Sequence, residues 1–156
     1  MTPQATPKPG TRLCMQAWLL RGISSIRGEL QLRAGEVSFR VFDRGSAWPW
    51  QLRKLERVLG CAGMAAAIEA GEGACLFRWS MHEVQAWCPW YYFGGGIKLR
   101  RGGVVLRLSF GAPAGAGDGT LQGVDTFEQV RDMRRIGALW RDALQASASR
   151  ARDPSP

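Results

Sequence analysis

The sequence lacks the residue clusters on which most metal sites depend. Its 156 residues include a single histidine, His82, and four cysteines that form no CxxC pair. Because a structural zinc site needs four closely spaced cysteine or histidine ligands, the spacing predicts no metal site. The cysteines are instead expected to be buried or half-buried free thiols in a reducing cytoplasm. They are Cys14, Cys61, Cys75 and Cys88.

Recognisable catalytic motifs are also missing. His82 has no serine or cysteine nucleophile in a known local context, and the acidic residues stand singly on polar faces. The phosphate-loop pattern GxxxxGK[ST] is absent. The triple glycine at 94–96 lies between strand-like segments, not before a helix, so it predicts a bulge or sharp bend. We therefore predict a protein that is not an enzyme and holds no cofactor.

Long apolar runs are absent as well. Residues 1–11 contain three prolines with polar spacers and no apolar segment, so they predict a disordered tail and not a signal peptide. The apolar run at 17–20 is far shorter than the roughly 20 residues needed to cross a bilayer. These features predict a cytoplasmic protein.

Lysine is scarce, although the chain is strongly basic. Lys and Arg together number 21 against 13 Asp and Glu, which leaves a net charge of +8, and lysine occurs only at positions 8, 54 and 98. Such a charge favours anionic partners, namely nucleic acid, lipid headgroups or an acidic protein. Arginine suits bidentate phosphate contacts, but a GC-rich genome produces the same arginine bias. The sequence leaves both explanations open.

The clearest positive signal is a pair of β-hairpins. Residues 27–42 alternate apolar and polar side chains on both sides of Ala34-Gly35, and residues 97–110 do the same around Gly102-Gly103. A period of two around a glycine-containing turn predicts a hairpin with one buried face. Further strands are predicted at 13–26 with a loop at 22–25, at 74–79, and at 84–90, where Pro89 interrupts the pattern.

Helical patterns occupy two regions. Apolar residues recur at spacings of three and four over 49–59, where Pro49 suits the first turn and Gly60 the position after the last. A second short helix at 64–70 completes a predicted helical insertion at about 46–72. Asp125, with Glu128 three residues later, predicts the start of a final amphipathic helix. Its apolar stripe contains Phe127, Val130, Met133, Ile136, Gly137, Trp140 and Leu144.

The order of these elements resembles that of the pleckstrin-homology superfold. Residues 27–39 resemble the opening hairpin of GRAM and related bacterial pleckstrin-homology-like domains, and residues 80–84 followed by 97–99 resemble their middle turn and strand. Residues 89–97 are similar to a segment of small bacterial proteins of that group. The resemblance covers about 13–144. The helical insertion departs from the minimal domain and leaves the strand pairing after the third strand open.

The resemblance implies a mainly β, α+β fold in one domain over 12–146, followed by a second disordered tail at 147–156. Its two packed sheets would form a curled β-barrel, interrupted by the helical insertion and closed at one end by the C-terminal helix. The implied function is that of a non-catalytic binding or adaptor module. Its partner would be a protein or an anionic phospholipid surface, with peripheral attachment to the membrane in the second case.

Four residues are predicted to bind the ligand. In many pleckstrin-homology domains, basic residues beside the loop between the first two strands hold headgroup phosphates, and Arg21 and Arg27 flank that loop here. Trp48 and Trp50 are amphipathic rings that suit a lipid interface or a protein contact, although such rings also fill cores. The alternative function is nucleic-acid binding through an arginine-rich face.

Overall fold

The computed structural model describes residues 12–89, 95–113 and 126–152, with the backbone alone at 126–130 and 151–152. Asp125 and the predicted tail at 1–11 lie outside the described residues. Within these ranges the chain forms seven strands and three helices. In chain order they are β1 (Leu13–Arg21), β2 (Ser24–Arg33), β3 (Glu36–Val41), α1 (Pro49–Leu59), α2 (Met64–Glu69), β4 (Ala74–Ser80), β5 (Gln85–Trp87), β6 (Gly96–Arg101), β7 (Val104–Ser109) and α3 (Thr126–Arg152).

The strands form one antiparallel sheet in the order β4-β3-β2-β1-β7-β6-β5. This confirms a mainly β, α+β fold. The expected curled barrel is not confirmed, because β4 and β5 stand at the two ends of the strand order and the sheet is not closed. β5 is shorter than the strand predicted at 84–90. It ends at Trp87, and Pro89 follows two residues later without an amide hydrogen to continue the ladder.

Both predicted hairpins are present. In the first, Arg33 pairs with Glu36 around Ala34-Gly35, and both turn residues have positive φ, at 51° and 76°. This is the backbone of a type I′ turn, whose twist matches that of the flanking strands. In the second, Arg101 pairs with Val104 around the two glycines. Leu30, Leu32, Val37 and Phe39 of the first hairpin, and Ile97, Leu99, Leu106 and Leu108 of the second, are all buried.

The loop predicted near 22–25 is present but shorter than expected. Arg21 pairs with Ser24, so that only Gly22 and Ile23 form the turn between β1 and β2. Ser24 and Ser25 are almost fully buried and already belong to β2. Serine favours loops, which is why the sequence predicted a loop at both positions. The two serines instead continue the ladder with β1, because their backbone groups would otherwise be buried without hydrogen-bond partners.

The helical insertion has the predicted boundaries. α1 runs over Pro49–Leu59 and buries Leu52 and Leu55, and Gly60 ends it in the left-handed region with a φ of 67°. The Glu56 carboxylate of α1 accepts a hydrogen bond of 2.8 Å from the Ala65 amide in the first turn of α2. This contact joins the two helices and places a negative charge where the α2 dipole favours it.

α3 packs on β5 and β6 through the predicted apolar stripe. Trp140 and Leu144 are buried, and the ring of Trp140 lies 5.9 Å from that of Phe110. The side chains of Phe127 and Val130 lie outside the described residues. The helix continues to Arg152, beyond the start of the tail predicted at 147, since its last turns contain alanine and arginine, which favour helix. No helix in the described ranges is long and apolar enough to span a bilayer.

Candidate functional site

An open groove of about 470 Å³ lies between the β1–β2 turn, α1 and β7. We call it the basic groove. Three elements that are distant in sequence line it. β1 and its turn contribute Leu20, Arg21 and Gly22; α1 contributes Trp50, Gln51 and Lys54; and β7 contributes Val105 and Arg107.

Regular secondary structure places the groove residues. Trp50 and Lys54 stand four residues apart on one face of α1, opposite the buried Leu52 and Leu55. Arg107 is exposed between two buried leucines of β7, because successive strand residues point to opposite sheet faces. The pairing of β1 with β7 brings this strand beside Arg21. The groove therefore combines one helix face with the ends of two neighbouring strands.

The groove carries positive charge only. Arg21, Lys54 and Arg107 line it, and none of the eight lining residues is acidic. None of the three forms an ion pair with any residue that the structure describes. Other arginines do, including the one that binds Glu83 at 2.8 Å and the one that binds Glu36 at 3.3 Å. Three cations without an ion-pair partner among the described residues give the groove a positive charge that favours anionic ligands.

Two of the four predicted ligand-binding residues, Arg21 and Trp50, line the groove. The other two lie elsewhere. Arg27 is the fourth residue of β2, and its guanidinium binds the Asp43 carboxylate at 3.1 Å. Trp48 is the residue before α1, and its amide donates a hydrogen bond of 2.9 Å to the side-chain oxygen of Gln51. Its ring is largely exposed to solvent.

Sequence reasoning missed Lys54 and Arg107. Lys54 carried a signal, since it lies one helical turn after Trp50 on the exposed face of α1. Arg107 carried no such signal, because its position beside Arg21 depends on the pairing of β1 with β7. In that pairing Leu19 lies opposite Leu108, which is 89 residues later in the chain.

His82 belongs to an exposed cluster on the turn between β4 and β5. Its Nδ1 lies 2.7 Å from the Ser80 hydroxyl, and its Nε2 lies 3.9 Å from Glu83, which in turn binds Arg101. All of these contacts lie within one turn and its neighbouring strand, and His82 does not line the basic groove. These contacts are those of an exposed surface residue that forms hydrogen bonds with its neighbours.

The four cysteines are free thiols in this structure. The burial predicted for them is wrong for Cys14 and Cys75, which are exposed because they lie on the outer face of the sheet, whereas Cys61 and Cys88 are half-buried. Burial raises the pKa of Cys61 and of Cys88. The pKa of Cys14 is also raised, first by burial and then by its hydrogen bond to Glu29. In the part of the chain that the structure describes, no three His, Cys, Asp or Glu side chains lie close enough together to hold a metal ion.

Comparison with known proteins leaves the groove without a family assignment. No protein-family model, no curated protein and no solved structure matches the chain. The resemblance to pleckstrin-homology-like and GRAM-like domains therefore stays a prediction. The charge and shape of the basic groove are the remaining guide to function.

Proposed function

We propose that the protein is a non-catalytic binding module that docks on anionic phospholipid surfaces through the basic groove. The observation that carries this proposal is the convergence of Arg21, Lys54 and Arg107, without ion pairs among the described residues, on one open groove. Arginine and lysine both bind phosphate, the first as a planar fork and the second as a point charge. A phosphate-rich surface supplies the counter-charges that the groove lacks.

The openness of the groove and its tryptophan favour a lipid surface. Trp50 borders the groove and is 56% exposed. Tryptophan rings concentrate at the headgroup level of bilayers, where one edge is wet and the other apolar. Each basic residue near an anionic membrane contributes about 1 kcal/mol, so the three cations together contribute roughly 3 kcal/mol to docking. The net charge of +8 adds long-range attraction.

The same proposal includes a pleckstrin-homology-like arrangement of the fold. Two features support it. The first four strands lie side by side in chain order, and so do the last three. The two groups are joined in the sheet by the pairing of β1 with β7. A long helix then ends the described chain and packs on β5 and β6. The basic groove lies at the β1–β2 turn, where the resemblance implies a ligand.

Nucleic-acid binding is the second candidate, and α3 provides the observation that favours it. Arg131, Arg134 and Arg135 are exposed within one and a half turns of the helix, and none has an ion pair among the described residues. Like charges this close on a helix repel one another, so a phosphate backbone that neutralises them is a favourable partner. These residues do not line the basic groove.

Co-sedimentation with vesicles tests the proposal. Phosphatidylglycerol vesicles should retain the protein at about 0.1 M NaCl and release most of it at about 0.5 M, whereas phosphatidylcholine vesicles should retain little at either. If both vesicle types retain the same trace amount at low salt, the proposal is wrong. A gel shift with single- and double-stranded DNA, repeated at both salt concentrations, examines the second candidate.

Two variants with equal charge change separate the groove from the total charge. The groove-reversed variant carries Arg21→Glu, Lys54→Glu and Arg107→Glu, and the helix-reversed variant carries Arg131→Glu, Arg134→Glu and Arg135→Glu. We expect the groove-reversed variant to bind anionic vesicles about a hundredfold more weakly than the helix-reversed variant. Equal losses in the two variants would mean that net charge alone governs binding. A selective loss of DNA binding in the helix-reversed variant would favour the nucleic-acid candidate.

A further inference from the structure

Ile23 is the most exposed large apolar residue that the structure describes. It lies at the tip of the two-residue turn between β1 and β2, and its relative exposure is 102%. Gly22 precedes it with a φ of 64°, as in two-residue hairpin loops that begin with glycine. Such turns usually carry Gly, Asn, Asp or Ser. Because the Ile23 side chain is fully exposed, packing within the domain does not explain it.

The tip is continuous with the basic groove. Gly22 and Arg21, the two residues before Ile23, both line the groove. Two partly exposed apolar side chains line it as well, Trp50 at 56% and Val105 at 43%. An apolar tip, an amphipathic ring and three cations thus occupy one side of the molecule. This combination matches the layers of an anionic bilayer, whose phosphates lie just above its acyl chains.

We infer that Ile23 is a membrane anchor, which enters the boundary between headgroups and acyl chains when the basic groove docks on an anionic bilayer. This inference rests on the proposed function and adds insertion to it. The hairpin favours insertion, because β1 and β2 pair without interruption up to Arg21 and Ser24. The tip is therefore held in place before docking, and little conformational freedom is lost on insertion.

A bilayer suits this tip better than a protein pocket does. Ile23 projects from a tight turn, so a protein partner would need a cavity shaped around it, whereas lipid chains adapt to its shape. The headgroup phosphates that surround an inserted residue can each bind one of the neighbouring cations. Charge complementarity therefore favours the membrane as the partner, and a protein pocket becomes an outcome that the experiment below can reveal.

The test compares Ile23→Ser with Leu139→Ser. Leu139 is an exposed aliphatic residue of α3, 50% exposed, and it does not line the groove. Serine is common in tight turns, so Ile23→Ser should fold with an unchanged melting temperature. Each protein is injected beneath a phosphatidylglycerol monolayer held at constant area, and the rise in surface pressure is recorded. Co-sedimentation with phosphatidylglycerol vesicles is measured in parallel.

The wild type and Leu139→Ser should both raise the surface pressure, whereas Ile23→Ser should not. Ile23→Ser should still bind vesicles at low salt through the three cations, but about tenfold more weakly, because the transfer of one aliphatic side chain is lost. Ile23→Leu should restore insertion. These results together would support an anchor that acts in addition to the charges.

Failure of insertion is distinguishable from failure of docking. Two results would show that Ile23 is not a membrane anchor while the proposed function stands. In the first, the wild type binds anionic vesicles but leaves the surface pressure unchanged. In the second, Ile23→Ser matches the wild type in both measurements. If the wild type does not bind anionic vesicles at all, the anchor and the proposed function are both wrong. A protein partner that the wild type retains and Ile23→Ser loses, without any effect on monolayers, would replace the bilayer as the occupant.

Discussion

Ser25 and Ser46 exchange hydrogen bonds across 21 residues of chain. The Ser25 amide donates to the Ser46 hydroxyl oxygen at 2.9 Å, and the Ser46 amide donates to the Ser25 carbonyl at 3.1 Å. The first residues of β2 are thereby joined to the segment that leads into α1. Because α1 follows only three residues after Ser46, this contact also helps to hold Trp50 and Lys54 beside the β1–β2 turn.

The first prediction concerns the hydroxyl in that contact. Ser46→Ala removes the acceptor for the Ser25 amide, and Ser25 is only 5% exposed. A buried donor left without a partner costs about 1–3 kcal/mol, so the free energy of unfolding should fall by roughly that amount. Urea denaturation measures the change. Ser149→Ala, at an exposed position of α3, is the control and should leave stability unchanged or slightly higher.

If Ser46→Ala and Ser149→Ala unfold at the same urea concentration, the contact between Ser25 and Ser46 contributes nothing to stability. Vesicle binding of Ser46→Ala gives a second readout. A less firmly held α1 should weaken the binding of anionic vesicles even under conditions in which the variant is fully folded.

The second prediction compares two glycines with nearly the same backbone. Gly45 and Gly102 have φ angles of 55° and 56°, so alanine is strained at both positions. A Cβ on Gly45 would lie 2.5 Å from the Ser25 carbonyl oxygen, whereas a Cβ on Gly102 would meet no atom within 4 Å. Gly102→Ala should therefore cost about 1 kcal/mol and Gly45→Ala clearly more.

Thermal and urea unfolding of the two alanine variants measure this difference. Their shared backbone strain cancels in the comparison, so the excess loss in Gly45→Ala reports the collision with β2. Equal losses would mean that the linker moves away from Ser25 without cost.

The third prediction concerns the titration of Glu29 on the exposed face of β2. The hydrogen bond from the Cys14 thiol, followed by that from Gln31, lowers the pKa of Glu29 below its ordinary value of 4.5. Cys14→Ala should therefore raise this pKa, as a carboxyl-carbon NMR titration would show. Gln31→Ala should raise it by less, because the Gln31 bond is the smaller of the two causes.

The direction of the pKa shift also sets the pH dependence of stability. A carboxylate whose pKa is lower in the folded state stabilises the fold above its unfolded pKa, and the contribution disappears as the pH falls through the folded value. The stability difference between wild type and Cys14→Ala should therefore shrink in acid, below about pH 4.5. A difference that stays constant across this range would exclude the hydrogen bond to Glu29 as its cause.

The local periodicity of apolar residues was enough to predict most of the strands and helices. The two hairpins and α1 lie where the sequence predicted them, because periods of 2 and 3.6 residues record which side chains an element must bury. The excess length of the loop predicted at 22–25 has the same origin. Gly22 and the two serines are all residues that favour turns, and only the pairing of Ser24 with Arg21 decides that the turn ends after Ile23.

The sequence by itself determined the chemistry available to this protein: an arginine-rich positive charge, scattered thiols, a lone histidine, and segments that alternate as strands or repeat as helices. The tertiary structure alone decided which of these residues meet. Arg21, Lys54 and Arg107 belong to β1, α1 and β7, and they share one groove only because β1 pairs with β7 and the linker before α1 is bonded to β2. Periodicity describes each element separately, whereas contacts between distant elements depend on how the whole core packs.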